Sequence, residues 1–455
     1  FPTPTDQPQL ARYSICGGSP RIIQGKPQLW TPTLGNILHC LKNRLASVST
    51  PANSEIAHLP FIGGWLGWLG YDLAWEIENL PYTNPNPLPF PVAYWYEPET
   101  FAVLDHVQQT LWLAASKPND LDRMKQHLET AEHKNIQPTP PFLRGSPMGN
   151  LERNSSLGKG GLGGVKPASQ LTFLSSQTDY EKAVRQAKKY IQAGDIFQTN
   201  LSLRFQATTN VNSWTLYRHL QQINPSPFAS YWQTPWGAMI SCSPERLVQL
   251  QGKQAQTRPI AGTRARGKTP ELDQQLAQEL LSNTKERAEH IMLVDLERND
   301  LGRVCQWGSV EVNELLTIER YSHVMHLVSN VRGTLQDSYD AVDLIRAFFP
   351  GGTITGCPKV RCMEIIEELE PVRRSLFYGS CGYLDLRGNL DLNILIRTLL
   401  YTTPTPNQAS HVWGQVGAGI VADSDPEKEW YESLHKAEAQ LAALRLAETN
   451  GINLR

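Results

Sequence analysis

The chain has 455 residues, of which 40% are hydrophobic and 19% are charged, and its formal net charge at pH 7 is −2. These values are normal for a soluble globular protein of two or three domains. The near-neutral charge argues against a nucleic-acid surface or a basic membrane patch, and no apolar run approaches the roughly 20 residues that span a bilayer. We therefore expect neither nucleic acid nor membrane as a partner.

The cysteines and the first residues bear on the cellular compartment. Seven cysteines are scattered along the chain and form no C-x-x-C pair, which is typical of reduced thiols in a cytosol-like compartment. The chain begins at Phe1, so we expect the natural N-terminus to lie upstream. The cytoplasm is the expected location, and a lost targeting segment would make a plastid the alternative.

Residues 1–134 have the pattern of a β-rich unit. The run FIGGWLGWLGYDLAWEIE places aromatic residues between glycines, as in strands that pass close to other backbone. VAYWYEP and TFAVLDHVQQTLWLAAS predict further strands, the second run as a hairpin. LDRMKQHLETAEHK then predicts an amphipathic helix.

The rest of the chain divides into three parts. Residues 135–170 are rich in Pro, Gly and Ser, which predicts a flexible insertion without chemistry. In 171–446, helices and strands interleave with short loops, which predicts one large α+β domain, and 447–455 form a tail. The first helix of this domain is predicted to have Asp179 at its N-cap and to end at Gly194.

One basic stretch, TRPIAGTRARGKTPE, runs from Thr257 to Glu271 and mixes turn formers with three arginines. It shows no helical or strand period, which predicts a surface loop. Its charge and its Pro and Gly content also suit a small anion better than a polymer. Neither interpretation explains the alanine, Ala261, at its centre.

Two separate predicted helices carry acidic pairs. KERAEHIMLVDLERNDLGRV has Glu286 and Glu289 one turn apart, and DPEKEWYESLHKAEAQLAAL has Glu429, Glu432 and Lys436 along one face. Carboxylates from two helices can meet around a hard cation such as Mg²⁺, which needs only one or two of them. The alternative interpretation is two solvated helix faces.

Two glycine-rich runs are candidates for binding anions. FFPGGTITGCPKVRCMEIIEELEP opens a new predicted helix at Lys359, and free backbone N–H groups at a helix start bind carboxylates. GQVGAGIVADS places Gly417 and Gly419 in a strand-like run, where side chains would block a ligand. A tight turn and a bulge explain the same residues without a ligand.

Three single residues complete the set of candidates. Glu245 in SCSPERL is a candidate general acid, and His326 lies in an apolar strand or helix, where a structural role is the alternative. Arg397 lies within NILIRTLL, a strongly apolar predicted strand, where a buried guanidinium needs an anionic partner such as a carboxylate. Together these features fit one small substrate with several carboxylates, bound through a divalent metal.

The order of these motifs resembles that of the chorismate-utilising enzymes over roughly Thr178 to Leu444. The matching runs are SPERL, RPIAGTRARG, AEHIMLVDLERNDLGRV, VMHLVSNVRG, FPGGTITGCPKVRCMEIIEELEP, GYLDLRGNLDLNILIRTL and GAGIVADSDPEKEWYESLHKA. The resemblance implies an α+β fold in which two packed antiparallel β-sheets are flanked by helices. A smaller N-terminal β-rich region would be interleaved with this domain.

The resemblance also implies the roles of individual residues around one Mg²⁺ and one chorismate. Glu289 and Glu432 would hold the metal, with Glu286 and Glu429 adjacent. Glu245 would be the acid beside the departing hydroxyl, and His326, Thr263 and Ala261 would line the pocket. The residues that would contact chorismate are Arg397, Tyr383, Gly417, Gly419, Lys436, Thr353 and Gln198.

Gln198 indicates which nucleophile the chain uses. In the isochorismate and salicylate branch that it resembles, this position carries a lysine base that activates water. A neutral amide cannot take a proton from water, so the resemblance implies an ammonia user. Such enzymes take ammonia from a glutaminase, here a separate partner because no glutaminase sequence follows.

Two ammonia-dependent reactions fit the resemblance, and we expect aminodeoxychorismate synthase component I before anthranilate synthase component I. FQTNL with Asn200, PGGTITG and LDLNILIRT favour the first. Ala261 favours the second, because many aminodeoxychorismate synthases carry a nucleophilic lysine there. A non-catalytic homologue that binds chorismate or an amino acid is a further alternative. NPSPFASYW resembles one wall of a tryptophan site, either regulatory or structural.

Overall fold

The computed structural model describes five stretches of the chain: 11–45, 55–133, 171–321, 324–402 and 408–452. The predicted insertion at 135–170 lies outside them, so its expected flexibility stays a prediction. Within these stretches the helices are α1 Ile37–Leu45, α2 Ala74–Ile77, α3 Pro118–His133, α4 Gln177–Gln192, α5 Ser213–Ile223, α6 Pro270–Ser282, α7 Thr284–Gly302, α8 Ala341–Phe348, α9 Lys359–Leu369 and α10 Pro426–Ile452. Two short 3-10 helices are Tyr71–Leu73 and Gly352–Ile354.

The strands fall before, within and after the helical segments. The first eleven are β1 Tyr13–Gly17, β2 Ile22–Ile23, β3 Lys26–Pro27, β4 Leu29–Trp30, β5 Gly64–Leu69, β6 Ala93–Tyr96, β7 Thr100–Asp105, β8 Thr110–Ala115, β9 Thr172–Phe173, β10 Gln198–Thr209 and β11 Phe228–Thr234. The others are β12 Gly237–Ser243, β13 Arg246–Gln251, β14 Gln254–Thr257, β15 Ile260–Ala265, β16 Glu311–Arg320, β17 Val324–Thr334, β18 Gly356–Cys357, β19 Ser380–Asp385, β20 Leu390–Asn393, β21 Thr398–Thr402 and β22 Ser410–Ile420.

Two large antiparallel sheets form the body of the described chain. The ten-stranded sheet has the order β15-β17-β14-β13-β20-β19-β5-β6-β4, with β16 also paired to β17. The seven-stranded sheet has the order β11-β12-β21-β22-β10-β18, with β9 also paired to β10. These sheets, flanked by helices, confirm the predicted α+β class.

The N-terminal region shares the larger sheet with the C-terminal half. Strand β5 pairs with β19, with Gly67 opposite Gly382, and β6 and β4 follow at the edge. Of the remaining N-terminal strands, β1, β7 and β8 form a small three-stranded sheet, and β2 pairs with β3. The sequence division at 134 therefore does not coincide with a division of the sheets. Likewise α10 runs to Ile452, past the boundary predicted at 446.

The glycines of β5 have a packing role. Every residue of GWLGWL in β5 is buried, and a Cβ atom on Gly67 would lie 2.2 Å from the carbonyl oxygen of Tyr94 on the neighbouring strand. Only glycine permits that approach, which brings β6 and its ring of Trp95 against β5. The Gly and Trp alternation of this run thus reflects close packing.

The start of α4 differs from the prediction. Ser176, not Asp179, is the N-cap, because the Ser176 hydroxyl oxygen accepts from the Asp179 backbone N–H at 3.2 Å. The Ser176 hydroxyl also donates to the Asp179 carboxylate at 2.7 Å. The helix ends as predicted: Gly194 follows the C-cap with φ of +83°, a left-handed conformation that glycine adopts without strain.

A buried ion pair joins the C-terminal end of α9 to the seven-stranded sheet. Arg374 donates to both carboxylate oxygens of Glu370 at 3.0 and 2.7 Å, and their side chains are 1% and 4% exposed. Glu370 also accepts from the backbone and hydroxyl of Ser202, at 2.9 and 2.7 Å. Arg374 donates in addition to the carbonyl oxygens of Asn200 and Ile354, both at 2.7 Å.

Replacement of Glu370 by alanine is therefore expected to destabilise the protein strongly. It leaves the Arg374 charge buried without its partner, which costs about 3–5 kcal/mol. Denaturant unfolding of the variant should show this loss. As a control, Asp295→Ala removes the exposed pair between Asp295 and Arg298 and should change stability little. Equal stability of Glu370→Ala and the wild type would contradict the role given to this pair.

Candidate active site

The two predicted acidic helices are α7 and α10, and their carboxylates influence one another. Burial raises the pKa of Glu289, and the nearby charges of Glu432 and Glu286 raise it further. Burial also raises the pKa of Glu429, with Glu432 again contributing. Lys285 on α7 opposes both shifts. Glu429 is 7% exposed, so at this residue α10 does not present a solvated helix face.

The four carboxylates differ in their contacts. The Gln198 amide donates to Glu289 at 3.5 Å, and Glu432 forms an exposed ion pair with Lys436 at 2.9 Å. Glu286 pairs with Arg264 at 2.7 Å through one oxygen, while its other oxygen is buried without a hydrogen-bond partner. Within the described stretches, no three metal-ligating side chains converge on one point.

This arrangement fits a cation that takes few protein ligands. Mg²⁺ commonly uses one or two carboxylates and leaves its other positions to water and substrate oxygens. The raised pKa of Glu289 and the unpartnered oxygen of Glu286 are features that a positive charge nearby would relieve. The residue set is thus compatible with Mg²⁺, which stays a prediction.

The glycines of β22 allow the side chains of β10 to approach this carboxylate group. Gly419 lies opposite Asn200 in the sheet, and a Cβ atom on it would come within 2.6 Å of the Gln198 amide nitrogen. A Cβ atom on Gly417 would lie 2.9 Å from Asn200 Oδ1. The Gln198 Oε1 and Asn200 Oδ1 atoms are buried and have no hydrogen-bond partner. Two acceptor oxygens thus lie beside the glycines.

Arg397 lies in a turn between β20 and β21, so its prediction as a strand residue is wrong. Its backbone has φ of +52°, which a strand does not permit. The side chain donates to the backbone carbonyl of Lys436, and it forms no ion pair with a carboxylate in the described stretches. Burial lowers its pKa. The guanidinium therefore lacks the anionic partner that its sequence context predicts.

Lys436 connects this turn to β22. Its ammonium donates to the carbonyl oxygen of Gly417 at 3.0 Å and also contacts Glu432. Lys436 therefore contacts both Arg397 and Gly417 at the edge of the acidic group. All three residues were predicted to bind substrate carboxylates. A cationic and an anionic half of one site lie side by side.

The stretch from Thr257 to Glu271 is not a surface loop, because most of it is strand β15 and the start of α6. Ala261 pairs with Leu327 and Thr263 with His326 of β17, and a bulge at Gly262 separates them. Ala261 is buried. The strand period is hidden because the bulge shifts the alternation of side chains by one residue.

The arginines of this stretch are bound within the protein, so the expectation of an anion-binding loop is wrong. Arg258 pairs with Glu314 and Glu319, both at 2.6 Å. Arg264 pairs with Glu279 and Glu286, and Arg266 with Asp273 at 2.7 Å. Each guanidinium already has a carboxylate, and this leaves no free cationic cradle.

His326, in β17, is a neutral imidazole beside Thr263. Its Nδ1 atom lies 2.9 Å from the Thr263 hydroxyl, and the two share a hydrogen bond. Burial lowers the pKa of His326 to about 4, so the ring is uncharged at neutral pH. The pair Thr263 and His326 therefore supplies polarity without charge, whereas a protonated His326 would repel Arg397 nearby.

Glu245 is a buried carboxyl group between β12 and β13. It is 7% exposed, and burial raises its pKa to about 7. Thr353, in the Gly352–Ile354 turn, opposes this shift with its hydroxyl, which has no well-formed hydrogen bond of its own. A carboxyl group with this pKa is suited to give a proton at neutral pH.

Two other predicted residues have structural partners. The Tyr383 ring packs edge-on against Phe61 at 5.7 Å, and burial raises its pKa, with Asp391 adding to the shift. No contact given by the structure joins Tyr383 to Arg397. Helix α9 begins at Lys359, with Pro358 as its N-cap. The Lys359 ammonium pairs with the Asp300 carboxylate at 2.6 Å. Anion binding at this helix start stays a prediction.

Sequence reasoning missed three residues that lie at this site. Asn200 was noted only for its resemblance, although its oxygen borders Gly417. Lys285 lies one residue before Glu286 and acts on the carboxylates of both helices. Glu297 occupies the buried face of α7 with Leu293 and Val294. The sequence could have indicated Glu297 in one way: it is an acidic residue at a position where the helical period places apolar residues.

The comparisons with known proteins agree with this geometry. Residues 7–442 match the family described as chorismate binding enzyme. The chain is 60% identical, over 98% of its length and 85% of the relative's, to the "Anthranilate synthase component I-like protein" of Synechocystis sp.. It is 44% identical, over 96% of its length and 90% of the relative's, to "Aminodeoxychorismate synthase component 1" of Bacillus subtilis.

A solved structure gives the same result for the fold. The anthranilate synthase component I of Streptococcus pneumoniae TIGR4 has a TM-score of 0.74 at 30% identity, with 96% of this chain and 94% of that chain covered. No helix within the described residues is long and apolar enough to cross a membrane. The chain belongs to the chorismate binding enzyme family, and it is a chorismate-utilising synthase.

Proposed function

We propose that this chain is the chorismate-converting component I of a synthase that uses ammonia as its nucleophile. The main support for this proposal is the side chain of Gln198. Its carboxamide is 3% exposed, lies 3.5 Å from Glu289, and has an unpartnered acceptor oxygen. An amide has no lone pair basic enough to deprotonate water, whereas its oxygen can accept a hydrogen bond from ammonia. Asn200 Oδ1 is a second such acceptor.

Mg²⁺ is proposed to be held by Glu289 and Glu432, with Glu286 and Glu429 beside them. When bound, the ion would neutralise a substrate carboxylate and withdraw electron density from the ring. The ion pair between Glu432 and Lys436 would give way in that state, because the lysine and the metal compete for one carboxylate.

The second carboxylate of the substrate would bind to the cationic half of the site. Arg397 has no carboxylate partner in the described chain, and a dicarboxylic substrate such as chorismate can provide one. Gly417 and Gly419 of β22 let the Asn200 and Gln198 side chains of β10 lie close to this strand. His326 stays neutral there, and Thr263 fixes its orientation.

Glu245 is proposed to be the acid for the departing hydroxyl group. Its O–H bond breaks as a new O–H bond forms on the hydroxyl, which leaves as water while ammonia forms a C–N bond. The proton that the new ammonium group loses then balances the one that Glu245 gave. Because burial raises the pKa of Glu245 to about 7, about half of the Glu245 carboxyl groups carry that proton at neutral pH.

Anthranilate is the product proposed first. The sequence alone ranked aminodeoxychorismate first, but the relative at 60% identity and the similar solved structure are both named for anthranilate synthase component I. Ala261 supports the same order, because a buried methyl group offers no nucleophile for a covalent intermediate. The reaction would add ammonia to the ring and eliminate pyruvate.

Aminodeoxychorismate is the second candidate product. It is favoured by the position of Asn200, whose side-chain amide lies beside Gly417 of β22. It is also favoured by the relative from Bacillus subtilis at 44% identity. In this reaction ammonia replaces the C4 hydroxyl and the enolpyruvyl group stays. Either reaction needs ammonia from a separate glutaminase, which the word "component" in the relatives' names also suggests.

A product assay tests this proposal. Purified protein is given chorismate, Mg²⁺ and a high concentration of ammonium salt at mildly alkaline pH, which replaces the glutaminase. We expect fluorescent anthranilate and one pyruvate for each molecule formed. A product that keeps the enolpyruvyl group, and yields 4-aminobenzoate only after a lyase is added, would assign the second candidate. No turnover of chorismate would favour a non-catalytic binding role instead.

Removal of one proposed metal ligand should weaken Mg²⁺ binding and reduce the Mg²⁺-dependent activity. Glu432→Ala is expected to lower turnover by about 100-fold or more, because the metal loses one of its two carboxylates. Glu427→Ala, an exposed change on the same helix, serves as the control. Mg²⁺ binding by calorimetry should weaken in the first variant alone. Near-normal turnover of Glu432→Ala would refute the metal assignment.

No covalent adduct between protein and chorismate is expected. Ala261 stands where a lysine would attack the ring, so the reaction must proceed by direct addition. Mass spectrometry of the intact protein during turnover should show only the mass of the chain. An increase equal to a bound chorismate fragment would overturn this route.

A further inference from the structure

Ser243, the last residue of β12, has a buried hydroxyl group that the reaction described above does not use. This hydroxyl donates to the carbonyl oxygen of Ile394 at 2.6 Å and accepts from the backbone N–H of Glu245 at 3.3 Å. The carbonyl oxygen of Glu245 in turn accepts from the N–H of Ile394 at 3.0 Å. The backbone of the proposed acid is therefore held on both its N–H and its carbonyl side.

A local turn explains only part of this arrangement. Serine hydroxyl groups often bond to a backbone N–H two residues further on, and this accounts for the contact between Ser243 and Glu245. The shorter bond reaches Ile394, which lies 151 positions later in the chain. A turn at the end of β12 does not require that partner. The hydroxyl therefore connects two segments that are distant in the sequence.

Ile394 begins the segment that carries Arg397, the residue proposed to bind a substrate carboxylate. The carbonyl oxygen of Arg397 accepts from the N–H of Cys242 at 3.1 Å, and its side chain bonds to the Lys436 carbonyl. Neither of these contacts involves the Ser243 hydroxyl. Arg397 is thus held independently, whereas the link from Glu245 to the same segment includes that hydroxyl.

The turn that carries Thr353 packs against Ile394 as well. A Cβ atom on Gly351 would lie 3.0 Å from Ile394 Cδ1 and 3.3 Å from Leu247 Cδ1. The absence of a side chain on Gly351 therefore lets the start of the turn approach Ile394. Ile394 bonds to the backbone of the acid and packs against the segment that leads to Thr353.

We propose that Ser243 is a positioning residue whose hydroxyl holds Glu245 in a fixed place relative to Arg397, and so relative to the bound substrate. This inference rests on the role given to Glu245 above. A general acid must lie within hydrogen-bond reach of the oxygen that it protonates, and a misplacement of about 1 Å can cost about 100-fold in rate. Loss of the hydroxyl leaves the Ile394 carbonyl and the Glu245 N–H without this partner, and the two segments can then move apart.

The experiment compares Ser243→Ala with Ser241→Ala, which removes a matched hydroxyl group from the same strand. Ser241 is also buried, but its hydroxyl bonds to Thr398 Oγ1 at 2.9 Å. Each variant loses one buried hydrogen bond, so both should unfold at a similarly lower denaturant concentration. Ser243→Cys keeps the volume with a weaker donor. It serves if the alanine variant fails to fold, and it should show the same changes to a smaller degree.

Steady-state kinetics at saturating Mg²⁺ and ammonium salt separate positioning from stability. We expect kcat to fall about 10- to 100-fold in Ser243→Ala and to stay near the wild-type value in Ser241→Ala. The KM for chorismate should not change in Ser243→Ala, because Arg397 keeps its own hydrogen bonds. Equal kcat values in the two variants, or a loss that appears only in KM, would overturn the proposal.

A double-mutant cycle tests whether Ser243 acts through Glu245. Glu245→Gln removes the acid and leaves the backbone in place. In that background, Ser243→Ala should lower the residual rate by less than about twofold, because the group that it positions is already gone. A further loss as large as in the single variant would show that Ser243 acts on another group and would reject the proposal.

Infrared difference spectra of the Glu245 carboxyl C=O stretch give a readout that needs no turnover. The band is identified by its loss in Glu245→Gln. We expect it to shift or broaden in Ser243→Ala and to stay unchanged in Ser241→Ala. An unchanged band in Ser243→Ala would overturn the proposal even if chorismate is converted. A changed band in a protein that does not convert chorismate would support the positioning of Glu245 and reject the proposed function.

Discussion

The arrangement of the site depends on the buried ion pair between Glu370 and Arg374. The pair is almost fully excluded from water, and its spare hydrogen bonds reach Ser202 and Asn200 on β10 and Ile354 in the turn that carries Thr353. Three segments distant in the chain are thereby fixed to one another. A charge pair at this depth is strong only while every partner is in place. The carboxamides of β10 and the hydroxyl beside Glu245 are consequently held in position before any ligand binds.

The site has an acidic part and a cationic part. A divalent cation bound with a dicarboxylic substrate would neutralise both. The carboxylates of α7 and α10 influence one another, and burial together with the charge of Glu432 raises the pKa of Glu289 and of Glu429. Arg397 lies beside them, without an ion pair in the described chain. A bound cation would relieve the first imbalance, and a substrate carboxylate would relieve the second.

Acid chemistry at neutral pH requires a carboxyl group that stays protonated. At Glu245, burial raises the pKa to about 7. His326 shows the opposite response to burial, since desolvation favours its neutral form. Exclusion of water thus favours the uncharged form of both Glu245 and His326.

The sequence by itself determined the local features of this protein: the helices of the acidic pairs, the glycines of β22, the end of α4 at Gly194 and the family. These depend on residues close in the chain or on ordered motifs. Tertiary structure decided the rest. The partners of Arg258 and Arg264, the turn at Arg397 and the burial of Glu297 involve residues tens of positions apart. Periodicity reports which face of an element is apolar, but only folding brings a distant carboxylate to a guanidinium or removes water from an acid.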